Sequence, residues 1–129
     1  MDKDLESVQE ARHLVQTAHD AWLKFEDFTE DQVERILSEI SRAAIANAEA
    51  LARLAVEETG YGTVEHKTLK NLFCAEDVYR AIRPMKTVGI VNEDKEKKVF
   101  EVATSIGVIA AIIPSTNPTS TAIIKRSSR

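Results

Sequence analysis

Residues Gly107–Lys125 read GVIAAIIPSTNPTSTAIIK, and they decide the fold. From Ile106 a nine-residue apolar run ends in Pro114, with no polar alternation along it. Such a run over Ile106–Ile113 predicts a strand buried on both faces, as in a parallel sheet. Seven small polar residues follow, Ser115-Thr116-Asn117-Pro118-Thr119-Ser120-Thr121. Pro118 suits the first turn of a helix, with Asn117 as its cap. α/β folds place their ligands where a buried strand delivers a polar loop to a helix N-terminus. Free backbone N–H groups there favour an anion. The Asn117 side chain could also donate to an oxyanion developing on a carbonyl carbon. The competing reading is a capped turn with no ligand, and the residues alone leave both open.

Working back toward the N-terminus, the texture is mainly helical. Leu5, Val8, Ala11, Val15, Ala18, Trp22 and Phe25 recur at three- and four-residue spacing, predicting a first helix over Asp4–Phe25. Thr29 as cap, Gln32 at the reciprocal position and the Phe28/Val33 pair mark the start of a second helix. Its apolar face includes Val33, Ile36, Leu37, Ile40, Ala44, Ala48, Leu51 and Ala55, and Gly60 is the predicted stop. A third helix is expected from Thr63 to Arg83, ending before Pro84 and carrying Leu69, Leu72, Phe73, Val78 and Ile82. Beyond Pro84, Lys86–Val91 and Lys98–Ala103 read as a hairpin around the charged turn Asn92–Lys97. The polar tail Lys125–Arg129 breaks the apolar pattern begun by Ala122, Ile123 and Ile124. A helix stopped there has two or three turns and is marginal alone.

Composition removes several function classes. A net charge of −4 gives no broad basic surface for nucleic acid. A single cysteine, Cys74, excludes an internal disulfide and a cysteine-based zinc cluster. The run ending at Pro114 is about half a membrane span. Met1–Asp4 leads directly into a helix without a signal segment, so the expected compartment is the cytoplasm.

Other candidate motifs are weaker. Gly60-Tyr61-Gly62 follows a helix and lacks the third glycine of a dinucleotide fingerprint, so a helix–helix turn is the better reading. Cys74 and His66 lie eight residues apart on one predicted helix, about 12 Å along its axis, and cannot pair as nucleophile and base there. Cys74 is expected to be a small core residue. His13, His19 and His66 have no metal-pair spacing. Glu57 and Glu58 diverge by about 100° around a helix and do not face each other. Lys95–Lys98 is a basic tip without aromatics.

The stretch IIPSTNPTSTAIIK resembles the strand–loop–helix segment of the aldehyde dehydrogenase superfamily, and its CoA-acylating branch in particular. Glu57–Phe73, EETGYGTVEHKTLKNLF, resembles the helix–turn–helix of that branch, and Lys86–Asp94, KTVGIVNED, its following hairpin. The resemblance implies an α/β fold: N-terminal helices, a β-hairpin, and the first strand–loop–helix of a Rossmann-like cofactor domain, truncated. It implies a division into 1–85 (helical part of the cofactor domain), 86–104 (hairpin of the oligomerisation region) and 105–129 (the truncated strand–loop–helix).

The implied reaction converts aldehyde, CoA and NAD+ to acyl-CoA and NADH, with NAD or NADP as cofactor. Asn117 is the implied catalytic residue, its amide facing the aldehyde oxygen. Ile112, Ile113, Pro114, Ser115 and Thr116 are implied to lie beside the nicotinamide. A homo-oligomer is implied, with neither nucleic acid nor membrane as partner. Three features depart from the family pattern: Ser105 stands where a proline commonly precedes the strand, Ile124 replaces an aromatic, and RSSR replaces a longer apolar helix. Cys74 does not match the family's nucleophile, so the 129 residues alone are expected to be inactive. A non-catalytic helical interaction module is the alternative.

Overall fold

A computed structural model describes residues 3–127, which form two compact units. Met1, Asp2, Ser128 and Arg129 lie outside the described residues, and with them the ends of the expected N-terminal lead and of the RSSR tail. No helix among the described residues is long and apolar enough to cross a membrane.

One unit combines residues 1–30 with 86–110. Helix α1 spans Lys3–Phe25, as its spacing predicts, but none of its residues is buried. Leu5, Val8 and Val15 are exposed, and Trp22 is half-buried. Trp22 is also the tether of this helix: its Nε1 donates to Ser105 Oγ at 2.7 Å. The hairpin consists of β1 (Gly89–Asp94) and β2 (Val99–Ala103), antiparallel, with a register shift between Ile90 and Asn92. The turn is tighter than expected, because Asn92 and Glu93 stay in the ladder opposite Glu101 and Phe100. Asp94 closes it by accepting from the backbone N–H groups of Glu96 (3.1 Å) and Lys97 (3.0 Å). Those bonds, that of Lys97 first, hold its carboxyl below the usual range. The carboxylate of Glu30 accepts from the backbone N–H groups of Thr87 and Val88, both at 3.0 Å, and so fixes the approach to β1.

The expected buried strand at Ile106–Ile113 is a correction. These residues carry no assigned strand, and Ile106 and Ile112 are 88% and 89% exposed. The physical reason is that a two-faced apolar strand is buried only by elements laid over it. The sheet among the described residues has just two strands, β1 and β2.

The other unit combines residues 31–85 with 111–129. The expected second helix is broken in two, α2 (Glu30–Ala46) and α3 (Ala48–Thr59). At the break, Asn47 turns its side chain onto its own helix, donating from Nδ2 to Ala43 O at 2.8 Å. Asn competes for backbone groups in this way and so weakens helix interiors. Gly60 ends α3 in the left-handed region (φ 69°), where a side chain is strained. Thr63 caps α4 (Val64–Leu72), accepting from His66 N at 3.3 Å.

The expected third helix contains a π-helical turn, Phe73–Asp77, before it continues as α5 (Val78–Ile82). Ser41 Oγ donates to the Ala75 carbonyl within that turn at 2.7 Å. Ala44, Cys74, Ala75 and Ile123 form a core cluster, with Ile124 against it. On α3 the buried side chains are Ala48, Ala52 and Ala55, whose small size lets α4 approach closely. Helix α6 spans Pro118–Ser127. It runs past the point where the polar tail was expected to break the pattern. Ser127 is 2% exposed and satisfies its hydroxyl on Ile123 O at 2.9 Å.

Candidate functional site

The buried face of α4 is its polar one. Leu69 and Phe73, expected on the apolar face, are more than half exposed, while Lys67 and Asn71 are 6% and 0% exposed. Buried polar groups need partners, and those of α4 find them on the loop that opens α6. Lys67 Nζ donates to the Thr116 carbonyl at 2.8 Å. Lys70 Nζ donates to Asn117 Oδ1 at 3.0 Å. Asn71 donates to Ala48 O at 2.9 Å and accepts from Thr119 Oγ1 at 2.8 Å. Positions i, i+3 and i+4 of one helix therefore hold three consecutive polar features of the loop. Gly62 borders this stripe: a Cβ there would lie 3.5 Å from Lys67 Cε, and its φ of 74° already disfavours one.

The consequence is a loop in which the Thr116 carbonyl and the Asn117 side-chain oxygen are taken, while the Asn117 side-chain N–H end is left to donate. Asn117 Oδ1 is occupied by Lys70. Its Nδ2 has only a long 3.5 Å contact with Thr116 Oγ1. The main-chain oxygen of Asn117 receives the Thr121 N–H at 3.2 Å, beginning α6. Neither lysine takes part in an ion pair among the described residues, so two ammonium groups converge on the positive end of a helix. That electrostatic arrangement favours a negative or developing negative charge.

The residues expected beside the cofactor form the outer edge of the same loop. Ile112, Ile113, Pro114, Ser115 and Thr116 are all exposed, and Asn117 is half-buried. Lys67, Lys70 and Asn71 were missed by the sequence reading. The available signal was K-x-x-K-N at helical spacing, which pattern reading assigns to a solvated face.

Cys74 takes no part in these contacts and packs instead against Ile123 of α6. It is 4% exposed, burial pushes its thiol up, and it belongs to the core cluster. A reactive cysteine needs the opposite environment. His66 is exposed and donates only its backbone N–H to Thr63. No group of three or more metal-ligating side chains occurs among the described residues.

Comparison with known proteins bears on the same segment. The bifunctional aldehyde-alcohol dehydrogenase of Escherichia coli (strain K12) is 40% identical over 119 residues, covering 92% of this chain and 13% of that protein. The acetylating succinate-semialdehyde dehydrogenase of Clostridium kluyveri is 36% identical over 107 residues, covering 83% of this chain and 24% of that protein. The crystal structure of an acetylating aldehyde dehydrogenase from Geobacillus thermoglucosidasius matches with a TM-score of 0.94 at 50% identity. That match covers 97% of this chain and 28% of the other. No family model matches the chain. The mixed α/β fold is that of an aldehyde dehydrogenase. Within that class the chain is homologous to the CoA-acylating members, and it corresponds to an N-terminal portion of them. It spans less than a third of each relative named here.

Proposed function

We propose that this chain supplies one wall of the active site of a CoA-acylating aldehyde dehydrogenase. Asn117 is the oxyanion donor. The observation that carries this reading is the Asn117 amide itself, with its oxygen engaged by Lys70 and its N–H end left to donate. In the reaction a cysteine thiolate from outside these 129 residues adds to the aldehyde carbon, and the carbonyl oxygen becomes an alkoxide facing Asn117 Nδ2. Ile112–Thr116 would hold NAD or NADP, which when bound would accept the hydride that leaves the former aldehyde carbon as the thioester forms. The resulting thioester passes its acyl group to the CoA sulfur, and the cysteine leaves as thiolate. The charge of Lys67, held on the Thr116 carbonyl, supports the alkoxide through space.

On this reading residues 1–85 and 105–129 are parts of the cofactor domain. Residues 86–104 form the arm through which a homo-oligomer assembles. The working compartment is the cytoplasm. Cys74 plays no part as nucleophile, so the 129-residue chain alone should form no NADH from acetaldehyde, CoA and NAD+. A chimera in which this chain replaces the homologous segment of the Geobacillus enzyme tests the site. There Asn117→Ala should lower kcat by about 10² to 10³, the usual effect of losing one oxyanion donor. An unchanged kcat would overturn the assignment.

A further inference from the structure

We propose that Lys70 is a positioning residue for Asn117, fixing which end of its amide faces the reacting carbonyl; this rests on the reading of Asn117 as oxyanion donor. A primary amide can present either an acceptor or a donor from nearly the same volume, and only the donor end stabilises an oxyanion. An ammonium group carries three donors and no acceptor. Placed 3.0 Å from Oδ1, Lys70 Nζ is compatible with only one of the two amide orientations. That orientation points Nδ2 away from α4.

The division of labour along α4 gives Lys70 this task and little else. The loop is already anchored on both sides of Asn117. Lys67 holds the Thr116 carbonyl, and Asn71 holds the Thr119 hydroxyl. Both of those side chains are buried, so they carry the stability of the junction. Lys70 is exposed, and among the described residues the one hydrogen bond its side chain makes is to the side chain between those anchors. An exposed contact of this kind adds little to folding free energy. It is sufficient to bias two orientations of one amide.

The test separates positioning from structure. In the 129-residue chain labelled with 15N, Lys70→Met should lower the order parameter of the Asn117 side-chain NH2. The buried Asn71 NH2 should be unchanged, and Lys70→Arg should restore Asn117. Loss of order at Asn71 as well would show a merely structural role and overturn the proposal, as would an unmoved Asn117 signal. In the chimera, Lys70→Met should lower kcat about tenfold with the aldehyde KM unchanged, a smaller loss than removal of the donor itself. Lys70→Arg should recover most of that loss. Lys70→Met combined with Asn117→Ala should be no slower than Asn117→Ala alone, because the two act as a unit. A large effect of Asn117→Ala with none from Lys70→Met overturns this inference alone. No effect of Asn117→Ala overturns the functional reading beneath it.

Discussion

Thr119 Oγ1 donates to Asn71 Oδ1 across 2.8 Å, and Asn71 passes its own amide hydrogen to the carbonyl of Ala48 at 2.9 Å. One fully buried side chain thus joins the first turn of α6 to the first residue of α3. It does so through α4, which carries it.

Replacing Asn71 should therefore be among the most damaging single changes in this unit. Asn71→Ala leaves the Thr119 hydroxyl without its acceptor, removes a donor from the Ala48 carbonyl and opens a cavity between three helices. The expected cost is about 3 kcal/mol, combining lost hydrogen bonds with a partly collapsed void. Urea denaturation followed by circular dichroism measures it. A midpoint within error of the unmodified chain would show that the junction is held by other means.

Lys98 is a residue with a positive φ that is not glycine, at 54°. It sits at the end of the hairpin turn, just before β2. An L-residue in that region is strained by about 1–2 kcal/mol, while glycine adopts it freely but loses more entropy on folding. Lys98→Gly should stabilise the hairpin by a net ~0.5 kcal/mol. Slower amide hydrogen exchange at Val99 and Glu101 would report the gain. Faster exchange at both positions would contradict it.

Cys74 gives the chain an alkaline liability. Burial raises its thiol above the ordinary value, so the unfolded chain loses the proton first as pH rises. The stability held by the neutral thiol is complete below the unfolded value and is lost as pH climbs through the folded one. Tyr79 acts in the same direction, raised by burial and then by its 2.6 Å bond to Glu34. The urea midpoint should begin to fall as pH rises past about 8.5, with Tyr79 adding to the fall above about pH 10. Cys74→Ala should flatten the early part of that fall. The native thiol should also resist Ellman's reagent until denaturant is added, and fast labelling of the native chain would refute the buried placement.

The sequence was legible where the signal is local. Gly60 needs a left-handed turn, a helix begins at Thr63, and alternating β-formers around a charged turn make a hairpin. These depend on neighbours a few residues apart, and the structure has all three. It was misleading where burial depends on distant company. Ile106–Ile113 has the composition of a core strand and is exposed, because apolarity states what a segment prefers and not what covers it. On α4 the error ran the other way. Lys67 and Asn71 looked like solvent residues, yet both are buried because Thr116, Thr119 and Ala48 offer polar partners from far along the chain. Asn117 itself stood out, as an Asn before Pro at a helix start. Its orienting lysine did not, because a contact across 47 residues leaves no mark on spacing.

The π-helical turn at Phe73–Asp77 has a further consequence. Each residue of an α-helix advances the side-chain direction by about 100°, so an inserted residue rotates everything after it by that amount. Upstream of the turn, Lys67, Lys70 and Asn71 are aimed at the loop of α6. Downstream, Tyr79 and Arg83 both reach Glu34 on α2, at 2.6 and 3.0 Å. One continuous rod serves two clients in different directions because it carries this fixed angular offset. Removing a single residue between Phe73 and Asp77 would keep the rod helical and the loop contacts intact, and would swing Tyr79 and Arg83 about a quarter-turn off target. The length of this segment is therefore under tighter constraint than its composition.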